Sequence, residues 1–168
     1  MSVRKEIRAA VVSKLKAAST AAGDRVQPSR VHNLYGATLP AISVYTTSQS
    51  YTRIGIQPSM YRVFVTIEVQ GITGVVNQDT EDDLDDLTDE IQAALAVDDN
   101  LGVAGVSSID LESAEVELFQ TGDRDYAAVV FRIQASYDEE IEPAGEDEDG
   151  LACVEFPDFD GDTVVTKP

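Results

Sequence analysis

The stretch from Met60 to Ile72 constrains the fold most, because apolar and polar side chains alternate along it almost without exception. This two-residue period is that of a β-strand, whose successive side chains point to opposite faces of a sheet. One side carries Tyr61, Val63, Val65, Ile67 and Val69, and the other carries Arg62, Phe64, Thr66, Glu68 and Gln70. A strand of this kind needs neighbouring strands and a layer of other elements that covers its apolar face.

Two further stretches repeat apolar residues at steps of three and four, which is the spacing of an amphipathic helix. The first helix is predicted from Met1 to Ala22, with Gly23 as its terminator. The second is predicted from Thr80 to about Ala96. Five acidic residues in its first turns suit the positive end of the helix dipole, although capping alone needs fewer.

The remaining apolar stretches are predicted to be strands. Residues 41–45 form a first short strand, and residues 46–59 form either a long loop or a protruding hairpin. A strand over residues 106–119 changes its alternation part of the way along, which predicts a bulge near Ser113. It forms a hairpin with a last strand over residues 126–137.

The order of these elements predicts an α+β fold, with an antiparallel sheet of four or more strands and both helices packed on one face. A chain of 168 residues suits one ordinary domain, which we place at residues 1–138. Residues 139–168 form an acidic C-terminal extension with the composition of a disordered segment. Within this extension, Leu151 to Phe156 is an apolar patch that either docks as an added strand or stays poorly ordered.

The charge is strongly acidic, with 31 acidic against 12 basic side chains and a formal net charge of −19. This charge argues against tight binding to nucleic acid, because phosphate backbones are held by basic surfaces. Aspartate exceeds glutamate and only four residues are lysine. This balance is typical of a protein that works in high salt, and an acidic mesophilic protein with a disordered tail is the alternative.

The chain offers little catalytic chemistry, and we predict that it is not an enzyme. Cys153 and His32 are single, so there is no internal disulfide and no zinc cluster, and no cofactor motif is present. A small hydrolase with a carboxylate pair is a further alternative. With 31 acidic residues in the chain, however, neighbouring carboxylates are expected by chance and do not indicate an active site. Asp158 to Asp162 imitates the start of a calcium loop, but Thr163 stands where the sharp turn needs glycine. No EF-hand is predicted, and a calcium-dependent binding module stays an alternative. No apolar run is long enough for a membrane span.

Three groups of residues are candidates for contacts with other molecules. The first comprises Tyr51, Arg53, Ile54 and Ile56, whose apolar members lack a core partner in the pattern. The second is the basic face of the first helix, with Arg4, Lys5 and Arg8. The third is the patch in the acidic extension, with Leu151, Val154 and Phe156. For the first and third groups, folding back onto the same subunit is the alternative.

Five stretches in this order carry a resemblance to a known family over about residues 1–138. They are the N-terminal helix; Gly23 to Val26 followed by Leu39 to Tyr45; the strand from Arg62 to Val69; Asp86 to Leu95; and a closing strand that ends at Tyr137. Together they resemble the tail terminator (tail completion) proteins of long-tailed phages. The acidic extension departs from the family pattern.

The resemblance implies a structural protein of the virion, located at the tail and neck and assembled in the host cytoplasm. It implies a ring, commonly a hexamer, that sits on the last ring of the tail tube, stops its polymerisation and receives the neck or head-closure protein. DNA would pass through the ring without sequence-specific binding, and an acidic lumen would let it slide. A head-closure or adaptor protein of the neck is the nearest alternative.

Overall fold

The computed structural model describes residues 2–28, 39–75, 80–96, 100–121 and 124–141. These residues form two helices and a five-stranded sheet, which confirms the predicted α+β fold. The elements in chain order are α1 (Val3–Ala17), β1 (Val26–Gln27), β2 (Ala41–Arg53), β3 (Met60–Val75), α2 (Thr80–Leu95), β4 (Val106–Thr121) and β5 (Arg124–Glu140).

The strands lie in the order β1-β2-β3-β5-β4. Strands β2, β3, β5 and β4 pair antiparallel, as the alternating patterns predicted. The two-residue strand β1 adds a parallel pairing at the outer side of β2, through Val26 with Ile42 and Gln27 with Ser43. The sheet is therefore mixed, and β1 is too short for its sequence to reveal it.

Both helices pack on the same face of the sheet, as predicted. Helix α1 contacts β1 and β2, whereas α2 contacts β3 and β5. The shared core contains Ile7, Val11 and Leu15 from α1; Leu84, Leu87 and Ile91 from α2; and, among others, Ile42, Val44, Val65, Ile67, Val69, Phe131 and Ile133 from the sheet. Strand β4 lies at the far edge of the sheet, beyond the strands that the helices contact.

Helix α2 packs closely against the sheet at Gly71 in β3. A β-carbon at this position would lie 2.9 Å from Ile91 Cδ1, 3.1 Å from Leu87 Cδ2 and 3.2 Å from Val129 Cγ1. Such distances are at or below the limit of van der Waals contact, so the absence of a side chain at Gly71 permits the close packing.

Two predicted boundaries are wrong. Helix α1 ends at Ala17 instead of Ala22, because Ser19 takes a left-handed conformation with φ of 52° that cannot continue the helix. The strand predicted to end at Tyr45 continues to Arg53 and pairs with β3 up to Tyr61. Residues 46–59 are therefore a hairpin and not a long loop. A bulge between Thr46 and Ser48 breaks the alternation that would have identified the longer strand.

The bulge predicted near Ser113 is confirmed, because the register of β4 shifts between Leu111 and Ser113. A second shift in β4 lies between Val106 and Ser108. Strand β5 continues to Glu140, slightly beyond the domain boundary expected at residue 138. His32, Leu151, Cys153, Val154, Phe156 and the segment Asp158 to Asp162 lie outside the described residues.

Candidate interaction surfaces

Arg4, Lys5 and Arg8 of α1 line one groove of about 330 Å³ together with residues 46–49 of β2. We call this surface the basic groove. Arg4 Nη1 donates a hydrogen bond to Gln49 Oε1 at 3.3 Å, which links the start of α1 to β2. Lys5 and Arg8 form no salt bridge with a carboxylate of the described residues, so the sequence-predicted basic face is present at this groove.

Two neutral polar side chains, Gln49 and Tyr137, meet beside the basic groove. Gln49 Nε2 donates to the hydroxyl oxygen of Tyr137 at 3.3 Å. Burial, with a smaller contribution from Glu139, raises the pKa of Tyr137 above its ordinary value, so the phenol stays protonated at neutral pH. Lys14, which shares the helix with the three cations, instead lines the groove between α1 and α2 near Glu90.

The second predicted contact region is the turn between β2 and β3, which we call the hairpin tip. Ile56 is 76% exposed, and Tyr51 and Ile54 are about half exposed. The ring of Tyr51 meets that of Tyr61 edge to face at 6.5 Å, so this side chain partly folds back on its own subunit. Arg53 is exposed, and its Nε donates a hydrogen bond to the Gly55 carbonyl at 3.1 Å, which stabilises the turn.

Strand β4 carries a surface that the sequence pattern did not predict. Its apolar residues Val116 and Leu118 are 62% and 73% exposed, and Leu111 is also exposed, although all three share the sheet face that forms the core. The same strand carries four acidic residues and no basic one, and the register places these acids toward the opposite, polar face. We call this surface the β4 edge. The sequence does carry a signal for this surface. The strand has apolar residues on one face, and only two helices are predicted to cover the whole sheet.

The polar face of the sheet is joined by ion pairs across strands. Arg132 of β5 contacts Glu115 of β4 at 2.8 Å and Glu68 of β3 at 3.3 Å. Arg62 of β3 binds both carboxylate oxygens of Asp138 at 2.8 and 3.1 Å. The hydrogen bond from Arg62 lowers the pKa of Asp138, and exposed pairs of this kind contribute modestly to stability. Arg62 and Arg132 are thus occupied within the subunit.

No group of three or more metal-ligating side chains occurs in the described ranges. A pocket beside α2 is lined in part by Asp83, Asp86 and Glu90. Glu90 is already engaged there, because its Oε2 accepts a hydrogen bond from the Ala21 amide at 2.6 Å. Among the helices that the structure describes, none is long and apolar enough to cross a bilayer.

Comparisons with protein-family models and with curated proteins give no match for this chain. Its function therefore has to be inferred from its own surfaces. The structure places Arg4, Lys5 and Arg8 together, and it places Tyr51, Ile54 and Ile56 together at the hairpin tip. Among the large apolar residues that the structure describes, the most exposed ones outside this tip lie on β4, at the far edge of the sheet.

Proposed function

We propose that this chain is a non-enzymatic structural subunit of a long-tailed virus particle. In this proposal it forms a ring on the end of the tail tube, stops tube polymerisation and joins the tube to the neck. The virion tail and neck are its site of action after assembly in the host cytoplasm. The proposed partners are further copies of the chain, the tube protein on one ring face and a neck protein on the other.

The observation that supports a ring is the placement of two different exposed surfaces at opposite edges of one sheet. The basic groove lies at the β2 side, whereas the β4 edge is acidic and apolar. A contact between unlike surfaces is heterologous, and such a contact gives a closed ring when the rotation between subunits fits a whole turn. A ring has two different faces, so one can copy the stacking surface of the tube while the other ends its growth.

The oligomeric state of the purified chain tests this proposal. Light scattering should give a discrete species of about six subunits, since rings of the proposed kind commonly contain six. A monomer at every concentration would contradict the ring. If that monomer bound calcium, a binding module would replace the proposal. Imaging of whole particles separates the tail terminator from a head-closure protein, because the two stand at different positions along the tail axis.

We expect the subunit to be more stable in concentrated salt, as suits a virus of a halophilic host. Helix α2 alone carries seven acidic residues and no basic one, and their mutual repulsion is screened as the Debye length falls from about 10 Å at 0.1 M to about 3 Å at 1 M. The midpoint of thermal unfolding should therefore rise as potassium chloride is increased.

The matched control replaces Asp82, Asp83, Asp85 and Asp86 with asparagine, which preserves side-chain size and removes four negative charges. This variant should show a smaller rise of the midpoint with salt. An unfolding midpoint that is equally high in dilute buffer and in molar salt would remove the halophilic interpretation.

A further inference from the structure

We propose that successive subunits of the ring are joined by the β4 edge of one copy seated against the basic groove of the next. The occupant of the β4 edge is thus a second copy of this chain. This inference rests on the proposed ring and names the surfaces that close it. Four observations support it, and they concern charge, position, strand irregularity and apolar exposure.

The first observation is charge. At a net charge of −19, two copies repel each other unless a positive surface lies between them. Helix α1 has five basic residues and one acidic residue, whereas α2 and β4 have none that is basic. The cations of β3 and β5 at Arg62 and Arg132 already contact carboxylates of their own subunit. The basic groove is therefore the surface best suited to receive an acidic neighbour.

The second observation is position along the sheet. Thr46, which lines the basic groove, pairs with Ile67 of β3, and Ile67 pairs with Ile133 of β5. Ile133 in turn pairs with Leu111 of β4. The basic groove and the part of β4 around Leu111 therefore lie at the same level on opposite edges.

With the strands along the ring axis, surfaces at one level meet, because subunits in a closed ring are related by rotation without a rise. Asp110 and Glu112 lie beside Leu111 on the polar face at the rim of the sheet, and in this contact they would approach Arg4, Lys5 and Arg8 of the next copy. Gln134 Nε2 donates to Glu112 Oε1 at 2.9 Å, which holds this carboxylate at the edge.

The third observation is that β2 and β4, which face outward at this level of the sheet, are both irregular. Strand β2 has a bulge between Thr46 and Ser48, and β4 has register shifts between Val106 and Ser108 and between Leu111 and Ser113. Bulges prevent the pairing of one sheet edge with another. The contact is therefore made by side chains and does not extend the sheet from one subunit to the next. Residues 46–49, which include the bulge, line the groove. The groove can therefore receive side chains of a neighbouring copy.

The fourth observation is the apolar exposure of β4. Leu111, Val116 and Leu118 lie on the face that forms the core, but the helices of the same subunit do not cover them. Exposed apolar side chains that continue a core face typically mark an interaction surface. A neighbouring copy supplies the missing cover, and the surrounding charges fix its orientation.

Charge reversal at each surface tests the contact. One variant combines Arg4→Glu, Lys5→Glu and Arg8→Glu, and a second combines Asp110→Lys and Glu112→Lys. Each should raise the concentration needed for ring formation by at least about tenfold, because like charges then face each other. Circular dichroism should show an unchanged fold, since these side chains lie at the surface. The matched control Asp82→Lys with Asp85→Lys makes the same charge change on α2 as the second variant and should form normal rings.

Combining the variants gives the sharpest outcome. The two variants mixed should form rings in which they alternate, because the reversed edge of one variant faces the reversed groove of the other and the remaining contact is unchanged. Both sets of substitutions in one chain should restore the ring. Normal rings from the Asp110→Lys, Glu112→Lys variant, or failure of the combined chain to assemble, would overturn this inference and leave the proposed function standing. A wild-type chain that is always monomeric would overturn both.

Discussion

Gly71→Val is expected to lower the free energy of unfolding by about 3 kcal/mol, the upper end for added volume in a packed core. The nearest side-chain atoms around a new β-carbon belong to Ile91, Leu87 and Val129, at 2.9 to 3.2 Å. All three residues are buried, so their side chains have little space to move. The branched side chain of valine therefore has to push α2 away from the sheet. Gly71→Ala should cost less, because one methyl group demands a smaller shift. Urea unfolding measured by circular dichroism gives both values.

The matched control is Gly74→Val on the same strand. A β-carbon at Gly74 meets no atom within 4 Å, and the residue is exposed. The same substitution should therefore change the free energy of unfolding by less than about 0.5 kcal/mol, as is usual for surface positions. Equal effects at Gly71 and Gly74 would contradict the close approach of α2 to β3.

Phe131→Ala is expected to cost about 3–5 kcal/mol, the usual range for removing a buried aromatic ring. Phe131 is the largest fully buried side chain in the described residues, and it lies in β5 between Val69 of β3 and Ala114 of β4. A loss of this size approaches the whole free energy of unfolding of a marginally stable domain, which is about 5 kcal/mol at the low end. The variant should therefore unfold at much lower urea concentration than the wild type, or fail to accumulate as folded protein.

Two further substitutions separate cavity formation from a general loss of aromatic area. Phe131→Leu keeps most of the apolar volume, so it should cost less than half as much as Phe131→Ala. Phe64→Ala removes the same ring from a partly exposed position of β3 and should also cost less. A larger loss in the free energy of unfolding at Phe64 than at Phe131 would contradict the assignment of the core to the face of the sheet that the helices cover.

The sequence was sufficient for the elements whose periodicity is uninterrupted. Strand β3 and helix α2 follow their predicted boundaries closely, because burial on one face demands a regular apolar repeat in each. The bulge near Ser113 was also predictable, since an extra residue in a strand is what shifts its apolar parity. These features follow from local pattern and need no knowledge of neighbouring elements.

Features that depend on long-range pairing were not predictable from the pattern. Strand β2 beyond Tyr45 is polar at most positions and is held by hydrogen bonds to β3, which leave no hydrophobic signal. Exposure of Val116 and Leu118 follows from where α2 lies, and that position depends on Gly71. The basic residues of α1 identified this helix as an interaction surface from the sequence alone. Strand β4 could be recognised as a second surface only from its position at the edge of the sheet.

The irregularities of β2 and β4 also affect how the folded chain behaves at high concentration. Edge strands with regular backbones are templates for fibrils, and proteins made in large amounts are most exposed to this hazard. Bulges in β2 and β4 interrupt the regular rows of backbone donors and acceptors on both sides of the sheet. The folded chain should therefore resist fibril formation through its sheet edges even at high concentration.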